Sequence, residues 1–266
     1  MTYADLALAR RLELNEARNA AELSQVYGET ATRIGGGEVA FGGAGSPLSH
    51  AVGVGMQGPV TAAELDAIEE YYRSRGTPIN VDLCPLADPS LAELMGQRCY
   101  RIAEFNNVLV RAAQPVPDGE DVRVRRAGEQ DREAWARTTM HGFLEREDVL
   151  RPEMELANTL FGMPSGAPWL AEIEGTPVAA AGMAVRDGLA MLFGDATRPG
   201  YRNRGLHMAL IVARMRYAAE RGCDLITAST LPGSGSQRNY ERLGFRVVYT
   251  KTIMLRAPLS PEEFPE

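Results

Sequence analysis

Arg198, Arg202 and Arg204 fall within seven residues in the stretch TRPGYRNRGLHMALIVARM, and Gly205 follows the last of them. A basic elbow that turns through glycine into an amphipathic run is the arrangement that receives a phosphate. The first four N–H groups of a helix lack partners within it, and the helix dipole is positive at that end. Glycine lets the backbone come close to a ligand. No Ser, Thr, Asp or Asn stands at the expected cap before Leu206, so these amides read as open. The stretch QGPVTAAELDAI contrasts with it. Thr61 and Glu64 have the spacing of a capping box, and Glu64 and Asp66 bring negative charge to the first turn. That helix start reads as closed to anions.

A second glycine pattern, Gly53-Val54-Gly55-Met56-Gln57-Gly58, spells the GxGxxG of a dinucleotide-binding turn and precedes a helix and a strand ending in Asp82. The segment before it, SPLSHAV, is not the continuous apolar strand such a turn needs. Pro59 and the Thr61 box also move the helix start away from the glycines. An oxidoreductase acting through Gly53–Gly58 is therefore the lesser alternative.

The elements that must position these residues come in two similar sets. Residues 4–27 have apolar side chains at helical spacing, which predicts one or two opening helices. Short strands broken by glycine turns follow, then the helix TAAELDAIEEYYRSRG, the strand PINVDL, the helix DPSLAELMGQRC and the strand IAEFNNVLVR. After AAQPVPDGED come the strand DVRVRRA, the helix GEQDREAWARTTMHGF and a three-strand meander, PWLAEIEG, PVAAAGMAV and LAMLFGDAT. The elbow then leads to the helix LHMALIVARMRYAAERG, the strand DLITAS, the helix SGSQRNYERLG and the strand FRVVYTKTIML. Gly76 and Gly222 close corresponding helices 146 residues apart, and Tyr100 and Phe245 correspond at 145. A period this long predicts a duplicated domain rather than a solenoid. The expected division is 1–112, a linker at 113–121, a second domain at 122–258 and a tail at 259–266.

With 45% hydrophobic and 24% charged residues, the 266-residue chain has the composition of a soluble globular protein. Its net charge of −7 argues against a broad nucleic-acid face or a polybasic membrane contact, so any anion site is local. Cys84, Cys99 and Cys223 form no CxxC pair and predict free thiols in a reducing compartment. No stretch reads as a signal peptide or a membrane span, which gives a cytoplasmic expectation. No metal-ligand spacing stands out.

Arg202-Asn203-Arg204-Gly205-Leu206-His207 is similar to the pyrophosphate loop Gln/Arg-x-x-Gly-x-Gly/Ala of the GNAT acyltransferase superfamily. Pro199 and Tyr201 match residues common just before that loop. Tyr240-Glu241-Arg242-Leu243-Gly244-Phe245 resembles the family's Tyr-x-Lys/Arg-x-Gly-Phe signature. The resemblance covers roughly residues 122–256. The first half resembles the same fold without its loop, as in tandem members with one degenerate copy. It implies an α/β fold of two GNAT-like domains, each a mostly antiparallel mixed sheet with splayed fourth and fifth strands, flanked by helices.

The resemblance further implies direct transfer of an acetyl group from acetyl-CoA to an amine of a small molecule. Arg202 to His207 would hold the diphosphate, and Ala196, Thr197, Ser236 and Asn239 the pantetheine arm. The Asp195 amide would face the thioester carbonyl, and Tyr240 would protonate the leaving thiolate. Many members place a Glu early in the fourth strand as general base, where this chain has Met191. Asp195, on the same strand parity, is the nearest carboxylate, and a water chain is the other option. His207 stands where the family usually has Gly or Ala, and Gly233 where many members have Asn. His141 and Glu145 are expected near the acceptor, and Trp169 in the core. An acyl-CoA-binding sensor without catalysis is the alternative from another class.

Overall fold

Asp5 begins the first helix, α1 (Leu6–Tyr27), by accepting a hydrogen bond from the Leu8 amide. Gly28 ends it with a left-handed φ of 97°. The computed structural model describes residues 4–119 and 121–257, so the expected tail at 259–266 lies outside the described residues. The chain divides into two compact units, one of Met1–Asn106 with Tyr249–Glu266 and one of Asn107–Val248.

In the first unit, β1 (Thr32–Ile34), β2 (Gly37–Val39) and β3 (Ala51–Val52) pair antiparallel in sequence. Helix α2 (Ala62–Arg73) leads to β4 (Ile79–Leu83), which lies parallel to β3. Helix α3 (Pro89–Gln97) leads to β5 (Arg101–Ala112). The strand antiparallel to β4 is the last of the chain, β11 (Arg246–Arg256), through Thr252–Arg256.

The second unit repeats the scheme. The strands β6 (Val124–Arg126), β7 (Gly166–Ile173), β8 (Thr176–Arg186) and β9 (Leu189–Thr197) form an antiparallel series. Helix α6 (Leu206–Glu220) connects β9 to the parallel strand β10 (Leu225–Thr230), and α7 (Gly235–Arg242) follows. Residues 107–112 of β5 complete this sheet, antiparallel to β10. Both units thus use a mixed sheet with helices, and each takes its last strand from the other half of the sequence. That exchange moves the unit boundary from the expected 113–121 into β5 and β11.

Both faces of the second sheet are covered, so β8 reads as an unbroken apolar run rather than an alternating one. Trp169, Ala181 and Met183 pack with Leu206, Leu210 and Met215 of α6. Leu170 and Ala180 pack with Trp135 and Met140 of α4 (Arg132–Leu144) and with Phe161 of α5 (Arg151–Phe161). The Trp135 indole N–H donates to Ala181 O at 3.1 Å, which leaves this buried ring no unpaired donor. Trp169 is core, as expected.

The first unit buries a group of charges. Lys251 Nζ lies 2.6 Å from Glu16 Oε2, 2.9 Å from Asp82 Oδ2 and 4.0 Å from Glu13 Oε2. Tyr249 Oη donates to Glu13 Oε1 at 2.7 Å, and His50 Nδ1 meets Asp82 Oδ1 at 3.2 Å. Burial pushes the Glu13 carboxyl up to about 7, although Lys251 opposes the shift.

Candidate active site

The site begins with an irregularity in β9. Gly182 lies opposite Phe193 and Ala180 opposite Ala196, so Gly194 and Asp195 form a bulge against β8. Gly194 has φ +66°, a left-handed conformation that suits a residue without Cβ. The parallel pairing of β9 with β10 stops at Leu192 and Ala228. Past that point the strands part, as the splay expectation requires.

The parting opens a cleft of about 820 Å³. Asp195, Ala196 and Thr197 line it from β9, and Arg202, Asn203, Gly205, Leu206 and His207 from the elbow. Ser236 and Asn239 line it from α7. Two expected site residues, Arg204 and Tyr240, are not part of the lining. Arg242 and Phe143 do line it and were not singled out from the sequence.

Gly205 occupies the cap position of α6 with φ +78°, and no side chain caps the helix. Asn203 is also left-handed, at φ +62°. The open amides therefore come from sequence: glycine turns the chain and nothing at the cap competes for them. The arginines of the elbow are engaged in the fold. Arg202 pairs with Glu145 at 2.8 Å and donates to the carbonyls of Gly142 and Thr197. Arg198 Nε donates to His141 Nδ1 at 3.0 Å, and the Arg204 guanidinium lies 5.2 Å from the Tyr201 ring centre. The arginines that draw the eye in the sequence are thus tied to the fold, while the N-terminal amides of α6 have no side-chain cap. Glu145 lines the cleft, while His141 holds Arg198 instead.

In the first unit the corresponding helix start is closed. Thr61 Oγ1 accepts from the Glu64 amide at 3.2 Å, and Glu64 Oε2 accepts from the Thr61 amide at 2.8 Å. These bonds hold the Glu64 carboxyl below its usual value. The GxGxxG segment is packed, not open: Gly55 N–H donates to Gly35 O, and Gly55 O accepts from the Asp88 amide, both at 2.9 Å. A Cβ on Gly53 would stand 3.4 Å from the Ala17 side chain of α1. These contacts remove the physical basis of the dinucleotide alternative.

Asp195 stands at the centre of the polar side chains beneath the cleft. Its Oδ1 accepts from the Arg214 guanidinium, and its Oδ2 accepts from Tyr240 Oη at 2.5 Å. His207 Nε2 lies 3.7 Å from Oδ1, and His207 Nδ1 faces Asn239 Nδ2 at 2.9 Å. Burial raises the Asp195 carboxyl, but the Arg214 charge, His207 and the Tyr240 hydrogen bond together outweigh it and hold the group down to about 2. A carboxylate stabilised to this degree is a weak base. Both oxygens of the Asp195 carboxylate, the expected general base, are engaged, one by Arg214 and the other by Tyr240. Tyr240 is 1% exposed, and burial together with Asp195 pushes its phenol well above the usual range. Among the described residues no cluster of three or more His, Cys, Asp or Glu could hold a metal ion, and no helix is long and apolar enough to cross a membrane.

Residues 132–245 match the acetyltransferase (GNAT) family. The sequence finds no match among curated proteins. Among solved structures, the chain is similar to a GCN5-related N-acetyltransferase from Kribbella flavida at 21% identity and a TM-score of 0.65, over 90% of this chain and 94% of the other. A putative GNAT-family acetyltransferase from Novosphingobium aromaticivorans is similar at 25% identity and a TM-score of 0.51, over 71% and 78%. A tandem GNAT protein from the clavulanic acid biosynthesis pathway aligns at 13% identity and a TM-score of 0.54, over 84% and 80%. The bulged strand, the splayed cleft and the uncapped helix all fall within residues 132–245, the segment that matches the acetyltransferase (GNAT) family.

Proposed function

We propose that residues 107–248 transfer an acetyl group from acetyl-CoA directly to an amine of a small-molecule acceptor. The observation that carries this reading is the α6 N-terminus, which has no side-chain cap and opens on the cleft at the strand splay. The residues fit the cosubstrate. The amides around Asn203–His207 would take its diphosphate, and Ala196, Thr197, Ser236 and Asn239 would line its pantetheine arm. Acetyl-CoA supplies the thioester whose carbonyl carbon the amine attacks.

The Asp195 backbone N–H, freed from β8 by the bulge, is the proposed donor to the oxyanion. Such a donor contributes about 3 kcal/mol of transition-state stabilisation. Tyr240 is the proposed proton donor to the sulfur, a role in which its O–H turns from Asp195 toward the cleft when the thioester is bound. Its raised phenol stays protonated at any working pH, and it releases the proton only as negative charge builds on the leaving atom. With the Asp195 side chain held by Arg214, the amine loses its proton to cleft water.

Two measurements test the reading. Calorimetry should detect coenzyme A binding, and an amine panel read by mass should show acetylated products with thiol release above hydrolysis. Binding without transfer to any amine would support the sensor reading instead. Failure to bind coenzyme A at all would remove both.

A further inference from the structure

One cation in the second unit has no access to the cleft. Leu206, Leu210, Arg214 and Ala218 follow one another at four-residue spacing on the buried stripe of α6. Arg214 is fully buried. Replacing buried ion pairs by apolar residues is often neutral or stabilising, so stability alone gives no reason for an arginine on this stripe.

Its contacts supply one. Arg214 Nη1 donates to Gly182 O at 2.8 Å and to Phe193 O at 3.5 Å, and Nη2 donates to Asp195 Oδ1. Nε donates to Leu210 O on its own helix at 3.0 Å. Gly182 is the β8 residue opposite Phe193, Phe193 is the last residue before the bulge, and Asp195 lies within it. One planar fork thus grips the bulge from both sides. A bulge interrupts the strand ladder, and carbonyls left without a partner in a buried place are costly. The five fixed donors of a guanidinium can satisfy these groups together, which a lysine ammonium cannot do in the same geometry. Tyr240 closes the remaining carboxylate oxygen from α7.

We propose that Arg214 is a positioning residue: by clamping Gly182, Phe193 and Asp195 it fixes the bulge and so the direction of the Asp195 backbone N–H in the cleft. The inference rests on the proposed acetyl transfer, in which that N–H faces the thioester carbonyl. Arg214 is buried and acts through the carbonyls of Gly182 and Phe193 and the carboxylate of Asp195.

The test is Arg214→Lys, which keeps a charge for Asp195 but removes the fork. The double variant Arg214→Met with Asp195→Asn serves if the lysine variant does not fold. Isotope-edited infrared spectroscopy of carbonyl-labelled acetyl-CoA reads polarisation of the thioester without turnover. The wild-type band should lie below its position in water, and the variant band should return toward it. Misplacement of a donor by about 1 Å should lower kcat about 100-fold, with the acetyl-CoA Kd within threefold. A folded variant that keeps the displaced band and a kcat within threefold of wild type overturns the proposal. Loss of acetyl-CoA binding in the variant overturns it as well, because Arg214 would then support the binding loop rather than the donor. A wild type that neither binds coenzyme A nor displaces the band removes the acetyl-transfer reading itself. A displaced wild-type band that the variants leave unaltered removes only the role of Arg214.

Discussion

Replacing Glu13 by Gln should stabilise the protein in proportion to pH. Glu13 is wholly buried in the first unit, where Tyr249 donates to one oxygen and the other has no hydrogen-bond partner. Burial raises its carboxyl from 4.5 to about 7, even with Lys251 nearby. A folded-state value above the unfolded one means stability is fully present below about pH 4.5 and is lost as pH rises through 7. At 1.36 kcal/mol for each pH unit, the ionised form carries a penalty of about 3 kcal/mol, most of which develops between pH 5 and pH 8. Asp82 works in the opposite sense: burial raises its carboxyl, but Lys251 and His50 more than reverse this, so its contribution is lost only in strong acid. His50 is raised by Asp82 against the effect of burial, so its contribution also declines as pH rises. Glutamine keeps the acceptor for Tyr249 and never ionises. Thermal unfolding from pH 5 to pH 8 should show wild type losing stability while Glu13→Gln loses less. At pH 8 the variant should melt roughly 6–12 °C higher. A gain that does not grow with pH would show that Glu13 is not the titrating group, and the argument from burial would be wrong.

Gly205→Asp sets a carboxylate at the open amides of α6 and should weaken coenzyme A binding at least tenfold, about 1.4 kcal/mol, by calorimetry. Unchanged affinity would mean that the diphosphate sits elsewhere. Tyr240→Phe should lower kcat about 100-fold or more with the coenzyme A Kd within threefold, and a loss under tenfold would give the proton to another donor. Thr61→Ala breaks the capping box of α2 and should cost about 1 kcal/mol in denaturant unfolding, with coenzyme A affinity untouched.

The parts legible in the sequence were those set by local rules. The glycine at 205, the missing cap and the Thr61–Glu64 box each act within four residues, and each appears as read. The meander was plain because its turns and apolar runs are short-range features. Helix α5 has a weak local signature, since Pro152 early in it resembles a breaker although proline is tolerated in a first turn. The roles of the arginines depend on partners far along the chain. Arg202 meets Glu145, 57 positions away, and nothing local distinguishes that pairing from a phosphate contact. Arg214 did leave a signal, a cation on an apolar stripe, which calls for a buried acceptor such as Asp195. Strand exchange left none, because β5 and β11 have the same apolar pattern whichever sheet receives them.

That exchange limits what evolution can do with this chain. Each copy lends its closing strand, so a break in the 113–121 segment would give two fragments, each with a borrowed edge missing and a strand of its own unplaced. A copy that had lost its grip on anions would still be retained, because deleting it would strip a ladder from the other. The shut first half is kept as a structural creditor.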